Sequence, residues 1–164
     1  MSENSKSPGA IALGWWNTNL GARGSTAARA LAARLRRAAP MAALCEPAVQ
    51  ELARLLHMGP ARVTEFVRLV CLLAEVREHD SITLARRLGG ADPVLSHLRF
   101  QRLMRAEGDE LTALMRRAIR MADRRCNVAS LANDLLHWED ARPRWCFEYF
   151  GADAPRDDAR ESVQ

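Results

Sequence analysis

Lysine is all but missing from this chain: among 24 basic residues only Lys6 is a lysine, and the other 23 are arginines. Aromatic residues are scarce at 5%, β-branched residues are sparse, and almost no segment alternates apolar and polar with period two, which excludes a sheet-based fold. No stretch approaches the ~18 uninterrupted apolar residues that a membrane-spanning helix needs. Residues 1–9, rich in Ser, Lys, Pro and Gly, lack the apolar core of a secretory signal, so the expected location is cytoplasmic. The four cysteines, Cys45, Cys71, Cys126 and Cys146, are far apart and form no CxxC pair, which argues against a zinc or redox motif. Cys45, Cys71 and Cys146 sit in apolar runs (AALCEP, LVCLLA, RWCFEYF), where a free cysteine behaves as a small hydrophobe.

The common catalytic patterns are also missing. There is no phosphate-binding loop, no GxGxxG and no HExxH, and His57, His79, His97 and His137 are widely separated. Asp134 and His137 stand three apart on one helical segment, a spacing that more often makes a local hydrogen bond than a catalytic dyad. No catalytic residue, metal or cofactor is therefore expected.

What is present is an apolar fraction of 48% in 164 residues, enough for one domain or for two small helical lobes sharing a core. The net charge is +4, carried by guanidinium groups whose planar fork grips phosphate bidentately and can stack on bases. An Ala-rich chain with Arg in place of Lys is equally what a GC-rich genome produces, so composition alone does not choose nucleic acid.

Glycine, proline and capping residues cut the chain into helix-length pieces, and the expected fold is an all-α bundle of about eight helices. The first, 11–20, carries Trp15 and Trp16; Gly21 to Gly24 turn the chain and Ser25 caps 26–39, which Pro40 ends. Pro47 opens 47–57. Gly59-Pro60 then leads into 63–76, apolar nearly all round from Phe66 to Ala74, which should be the buried central helix, with Phe66, Val67, Val70 and Leu73 inside. A short helix 82–88 stops at Gly89-Gly90, where the boundary between an N-terminal lobe, 11–90, and a C-terminal lobe, 91–150, is placed. Asp92-Pro93 is read as the cap of a helix to Ala106. Gly108-Asp109 re-caps 110–125, Asn127 caps 128–138, and Pro143 starts a last helix, 144–150. Residues 1–10 and the polar, acidic 151–164 are expected to be disordered tails. The tryptophans could stack on bases, but at apolar helix positions they are expected in the core.

The helix after Gly108 carries the most information. At 100° per residue Arg116, Arg117, Arg120 and Arg124 fall within about 100° of arc, opposite Leu111, Leu114, Met115, Ala118, Ile119 and Met121. On the preceding helix Arg99, Arg102 and Arg105 span about 120°. Few acids are placed to neutralise these stripes, beyond Glu107, Asp109 and Glu110 at the turn and Asp123 near the end. Such stripes would hold phosphate, not read base sequence. The bland alternative is a solvated face with scattered salt bridges.

Four segments resemble the CasB family, the small subunit of the type I-E CRISPR surveillance complex Cascade. They are LGWWNTNL followed by GARGSTAARALAARLRRA; EFVRLVCLLAE followed by SITLARRLGG; HLRFQRLMRAEGDELTALMRRAI; and NVASLANDLLHW with the closing RWCFEYF. The likeness covers most of 13–150, and it is specific in order and spacing more than in any one piece. Ala129, where the family often has an aromatic, and Glu139-Asp140, where basic residues are common, depart from it.

The resemblance implies a helical protein without enzymatic activity that pairs with a second copy beside other Cascade subunits, the crRNA guide and its DNA target. Its basic surface would help hold the target or displaced strand and stabilise the R-loop. The family's basic positions match Arg37, Arg99, Arg105 and Arg117 here; Arg102, Arg116 and Arg120 join them from the helical stripes, and Arg36 from the polar face of 26–39, opposite Leu31 and Leu35. A stand-alone DNA-binding regulator would need a recognition helix with base-reading residues, and DELTALMRR starts acidic. A purely structural adaptor would leave the arginines idle toward nucleic acid.

Overall fold

The computed structural model describes residues 6–21 and 25–151. Parts of the expected tails, and Ala22 to Gly24 of the expected turn, lie outside these residues. Ten α-helices occur among the described residues, against about eight expected. They are α1 (Pro8–Asn19), α2 (Thr26–Arg37), α3 (Pro40–Leu44), α4 (Pro47–Leu55), α5 (Val63–Leu73), α6 (Leu84–Leu88), α7 (His97–Arg105), α8 (Gly108–Met121), α9 (Val128–Leu136) and α10 (Trp138–Tyr149). Capping chemistry explains several of the ten starts: the Ser25, Thr83, Ser96 and Asn127 side chains each accept a hydrogen bond from a first-turn backbone N–H.

Several boundaries move, for local reasons. α1 begins at Pro8, because Ser7 accepts from the Ala10 N–H and a proline at the first position loses no bond. Pro40 does not merely end α2; it opens the short α3. The helix expected from Pro93 starts only at His97, because Ser96, not Asp92, supplies the cap. Pro143 lies inside α10, which begins at Trp138. A proline there removes one helical hydrogen bond, while the helix buries Trp138, Ala141, Trp145 and Tyr149.

α5 is the buried centre, as its run of apolar residues predicts: Phe66, Val67, Val70 and Leu73 are all inside. Trp15, Trp16, Trp138 and Trp145 are also in the core. The indole N–H of Trp15 donates to the Ala48 carbonyl at 2.8 Å, and that of Trp16 to the Leu73 carbonyl at 3.1 Å. Two glycines allow close approaches that join distant parts of the chain. Gly9 lets α1 lie along α9, since a Cβ there would stand 2.3 Å from the Ala129 carbonyl oxygen. Gly89, read from sequence as a helix stop, lies against the end of α10, where a Cβ would stand 1.9 Å from the Tyr149 carbonyl oxygen. One continuous cluster of buried side chains runs from Ala12 to Tyr149 across Gly89-Gly90.

The expectation of no strand is corrected at one point. β1 (Glu78–His79) and β2 (Arg125–Cys126) form a two-residue parallel bridge, pairing Glu78 with Arg125 and His79 with Cys126. Two residues show no period-two signal. The pairing follows from the turn after α8, where Asp123 and Arg124 take positive φ (57° and 56°) and direct the chain back beside α5's exit.

The cysteines divide differently from their sequence contexts. Cys45 is exposed despite its apolar run, whereas Cys71 and Cys126 are buried. Burial pushes the Cys126 thiol up to about 12, and burial likewise raises that of Cys71. Alkylation at neutral pH should therefore label Cys45 first and leave Cys126 untouched until denaturant is added, because the thiolate is the reacting species. Mass-spectrometric mapping of early labelling at Cys126 would contradict this core.

Candidate nucleic-acid interface

α7 and α8 are amphipathic helices that pack their apolar stripes inward, through Phe100 and Leu103 on one and Leu111, Met115, Ala118 and Ile119 on the other. Their arginines consequently face out. Arg99, Arg102 and Arg117 border one small recess of about 50 Å³ together with Leu95, Leu103 and Leu114, and its lining is mostly apolar. Arg105 is exposed at the end of α7. Among the described residues no carboxylate pairs with Arg99, Arg105 or Arg117. Arg102 is different, with its Nε donating to Glu110 Oε1 at 3.1 Å; both side chains are exposed, so this contact contributes little.

The other half of the α8 stripe does not simply face solvent. Glu75, just past α5, has a fully buried side chain, and three arginines gather on its carboxylate. Arg120 grips it with both arms, Nε to Oε2 at 3.3 Å and Nη2 to Oε1 at 3.2 Å. Arg116 Nε and Arg124 Nη1 also lie 3.2 Å from it, yet both atoms are buried without a hydrogen bond. The pKa of Arg124 is lowered, first by burial; Glu75 opposes this, while Arg77, Arg36 and Arg120 add to it by repulsion. Sequence reasoning missed Glu75. Its one signal was a carboxylate embedded in an apolar run, LVCLLAEV, since a charge carried into a core must be paired.

On α2, Arg36 reaches the Ala74 carbonyl at 3.4 Å and lines a cleft of about 400 Å³ with Arg29 and Arg77. Arg37, its neighbour, points into solvent. The eight candidate arginines thus separate into Arg99, Arg102 and Arg117 around the recess between α7 and α8, Arg116 and Arg120 on Glu75, Arg36 in the cleft beside it, and the exposed Arg37 and Arg105.

The pair Asp134 and His137 is not a dyad. Asp134 is buried, and its oxygens accept from the Trp145 indole N–H at 2.7 Å and from the Arg144 guanidinium. His137 is exposed at the end of α9. Among the described residues no group of three or more His, Cys, Asp or Glu side chains could hold a metal ion, and no helix is long and apolar enough to cross a membrane.

Comparison with known proteins places these elements in a family. A curated relative, "CRISPR-associated protein Cse2" of Thermus thermophilus, is 31% identical over 70 residues, covering 40% of this chain and 41% of that protein. The match thus spans about two fifths of that relative's length. No solved structure matches the chain. The family model for CRISPR-associated protein Cse2 matches residues 30–150, from α2 through the end of α10, and so contains both arginine groups and the core that presents them. The chain therefore belongs to the CRISPR-associated Cse2 family, the CasB small-subunit family that its motifs resemble.

Proposed function

We propose that this protein is a non-catalytic subunit of a crRNA-guided type I-E surveillance complex that holds nucleic-acid backbone and so stabilises the R-loop. The observation that supports this best is that the exposed Arg99, Arg102 and Arg117, from two helices, stand around one recess, two of them without a carboxylate partner among the described residues. Guanidinium groups presented this way neutralise phosphates irrespective of sequence. Such contacts matter because exchange of a DNA duplex for an RNA–DNA heteroduplex is nearly balanced, so modest backbone contacts tip it. In this reading Arg37 and Arg105 extend the phosphate track, Arg36, Arg116 and Arg120 flank it, and the protein works in the cytoplasm beside other Cascade subunits and a second copy of itself. The adaptor alternative draws on one observation: Arg102, Arg116 and Arg120 are ion-paired within the chain.

Purification of the native complex through a tag on this chain, followed by nucleic-acid extraction, tests the proposal. A short RNA of uniform length should co-purify; recovery of the protein alone, or of a complex free of RNA, would refute it. The isolated protein should hydrolyse neither DNA, RNA nor nucleoside triphosphates, with or without divalent metal, since Asp134 is committed to Trp145 and Arg144. Turnover abolished by His137→Ala would overturn that expectation.

A further inference from the structure

Glu75 and the arginines around it form an arrangement that core stability does not require. A buried carboxylate needs one well-placed cation; here Arg116, Arg120 and Arg124 all approach it, and Arg36 and Arg77 lie near enough to repel Arg124. Three guanidiniums thus share a single carboxylate, leaving a local excess of positive charge. Two of their donor atoms, Arg116 Nε and Arg124 Nη1, are buried and make no hydrogen bond. Arg124 joins the group from a left-handed backbone conformation, φ 56°, which a non-glycine residue keeps only where its surroundings enforce it. Arg120 is half exposed, with a side-chain accessibility of 52%. Beside the group opens the cleft of Arg29, Arg36 and Arg77, whose walls include Leu20, Ala32 and Val76.

We propose that this cluster is a preformed phosphate site, with Glu75 as an internal counter-ion that positions Arg116, Arg120 and Arg124 for an incoming phosphate. The carboxylate orients the guanidiniums before the ligand arrives, so little side-chain ordering remains to be done on binding. The excess charge then favours a second anion alongside the first, met by the half-exposed Arg120. The apolar wall of the cleft suits the sugar of a nucleotide and not a bare inorganic ion. That the natural phosphate belongs to a nucleic-acid strand rests on the backbone-binding reading above; that an anion binds here does not.

The test uses the full chain, with arginine Nε–H resonances followed during titration with tripolyphosphate at constant ionic strength. Arg116, Arg120 and Arg124 should shift together and saturate, while Arg99, Arg105 and Arg117 drift without saturating. Uniform, unsaturated drift of all six would show only a diffuse ion atmosphere and would sink the proposal. Glu75→Gln should melt lower than wild type in chloride and recover more than wild type when tripolyphosphate replaces the lost counter-ion. Equal melting of this variant in both salts would refute the positioning role. Should Glu75→Gln not fold, Arg120→Gln carries the test, because Glu75 keeps Arg116 and Arg124; tripolyphosphate should then bind about tenfold more weakly. Binding of a single-stranded oligonucleotide separates the two ideas. If Arg120→Gln changes neither titration while reversal of Arg99, Arg105 and Arg117 weakens oligonucleotide binding, the Glu75 site falls and the backbone-binding reading stands. If tripolyphosphate saturates the cluster but no arginine variant affects oligonucleotide binding, the anion site stands and the nucleic-acid reading falls.

Discussion

Simultaneous charge reversal of Arg99, Arg105 and Arg117 to glutamate is expected to weaken DNA binding by the assembled complex about a thousandfold or more near physiological salt. Each substitution removes one phosphate contact and adds a repelling charge; a charge-assisted hydrogen bond is worth about 1.5–3 kcal/mol, and each 1.4 kcal/mol is about tenfold in affinity. The plot of log affinity against log salt should flatten by about 0.7–0.9 per lost contact, and the loss should be similar for unrelated sequences. All three side chains are exposed on faces opposite the buried Phe100, Leu103, Met115 and Ile119. Helicity should therefore be unchanged and the stability cost should stay near 0.5 kcal/mol per site, with Arg105 at the upper end because a negative charge in the last turn of a helix opposes its dipole. Equal binding by wild type and triple variant would make this face a solvated surface and favour the adaptor. Failure of the variant to join the complex would identify these arginines as partner contacts.

The largest stability effect belongs to Trp145→Ala, expected to cost about 4–6 kcal/mol. Trp145 is 1% exposed, packs edge-on against Trp138 with ring centroids 5.0 Å apart, and donates to Asp134 Oδ2. Truncating a buried tryptophan costs about 3–5 kcal/mol, and leaving the buried Asp134 one bond short adds about 1 kcal/mol or more. Set against a total stability of about 5–15 kcal/mol for a domain, that loss leaves the protein marginal or unfolded. A drop in melting temperature of about 10–20 °C is the measurable form of this loss. Phe147→Ala, at the exposed position two residues on in the same helix, should change stability by about 0.5 kcal/mol or less. If Trp145→Ala melts within two degrees of wild type, α10 does not pack as described.

The same helix shows how far local signals reach. Read from sequence, Pro143 is a start signal, because a proline is cheapest in a helix's first turn. α10 nevertheless begins five residues earlier, where Trp138 and Ala141 find apolar partners in the core. Long-range packing of two tryptophans and a tyrosine outweighs one lost backbone bond, and no window of local sequence contains that comparison. Asp92 failed as a cap for a similar reason: a cap's worth depends on where the next helix docks, and Ser96 is the residue placed to bond its N–H groups.

The amino-acid sequence by itself determined the helical class, through apolar residues spaced for helices and an almost complete lack of alternation. It also determined several helix starts, through Ser25, Pro47 and Asn127, and the buried centre, through the unbroken apolar run of α5. It placed Arg99, Arg105 and Arg117 on exposed faces, because the position of a side chain around one helix is set within a few turns. Only the tertiary structure decided which arginines are available and which are already engaged. Glu75 is separated from Arg116, Arg120 and Arg124 by more than forty residues of chain, and they meet because α5, α8 and the left-handed turn at Asp123-Arg124 pack together. A charge stripe on a helical wheel shows direction alone; whether it meets water, a phosphate or a buried carboxylate depends on what packs across from it.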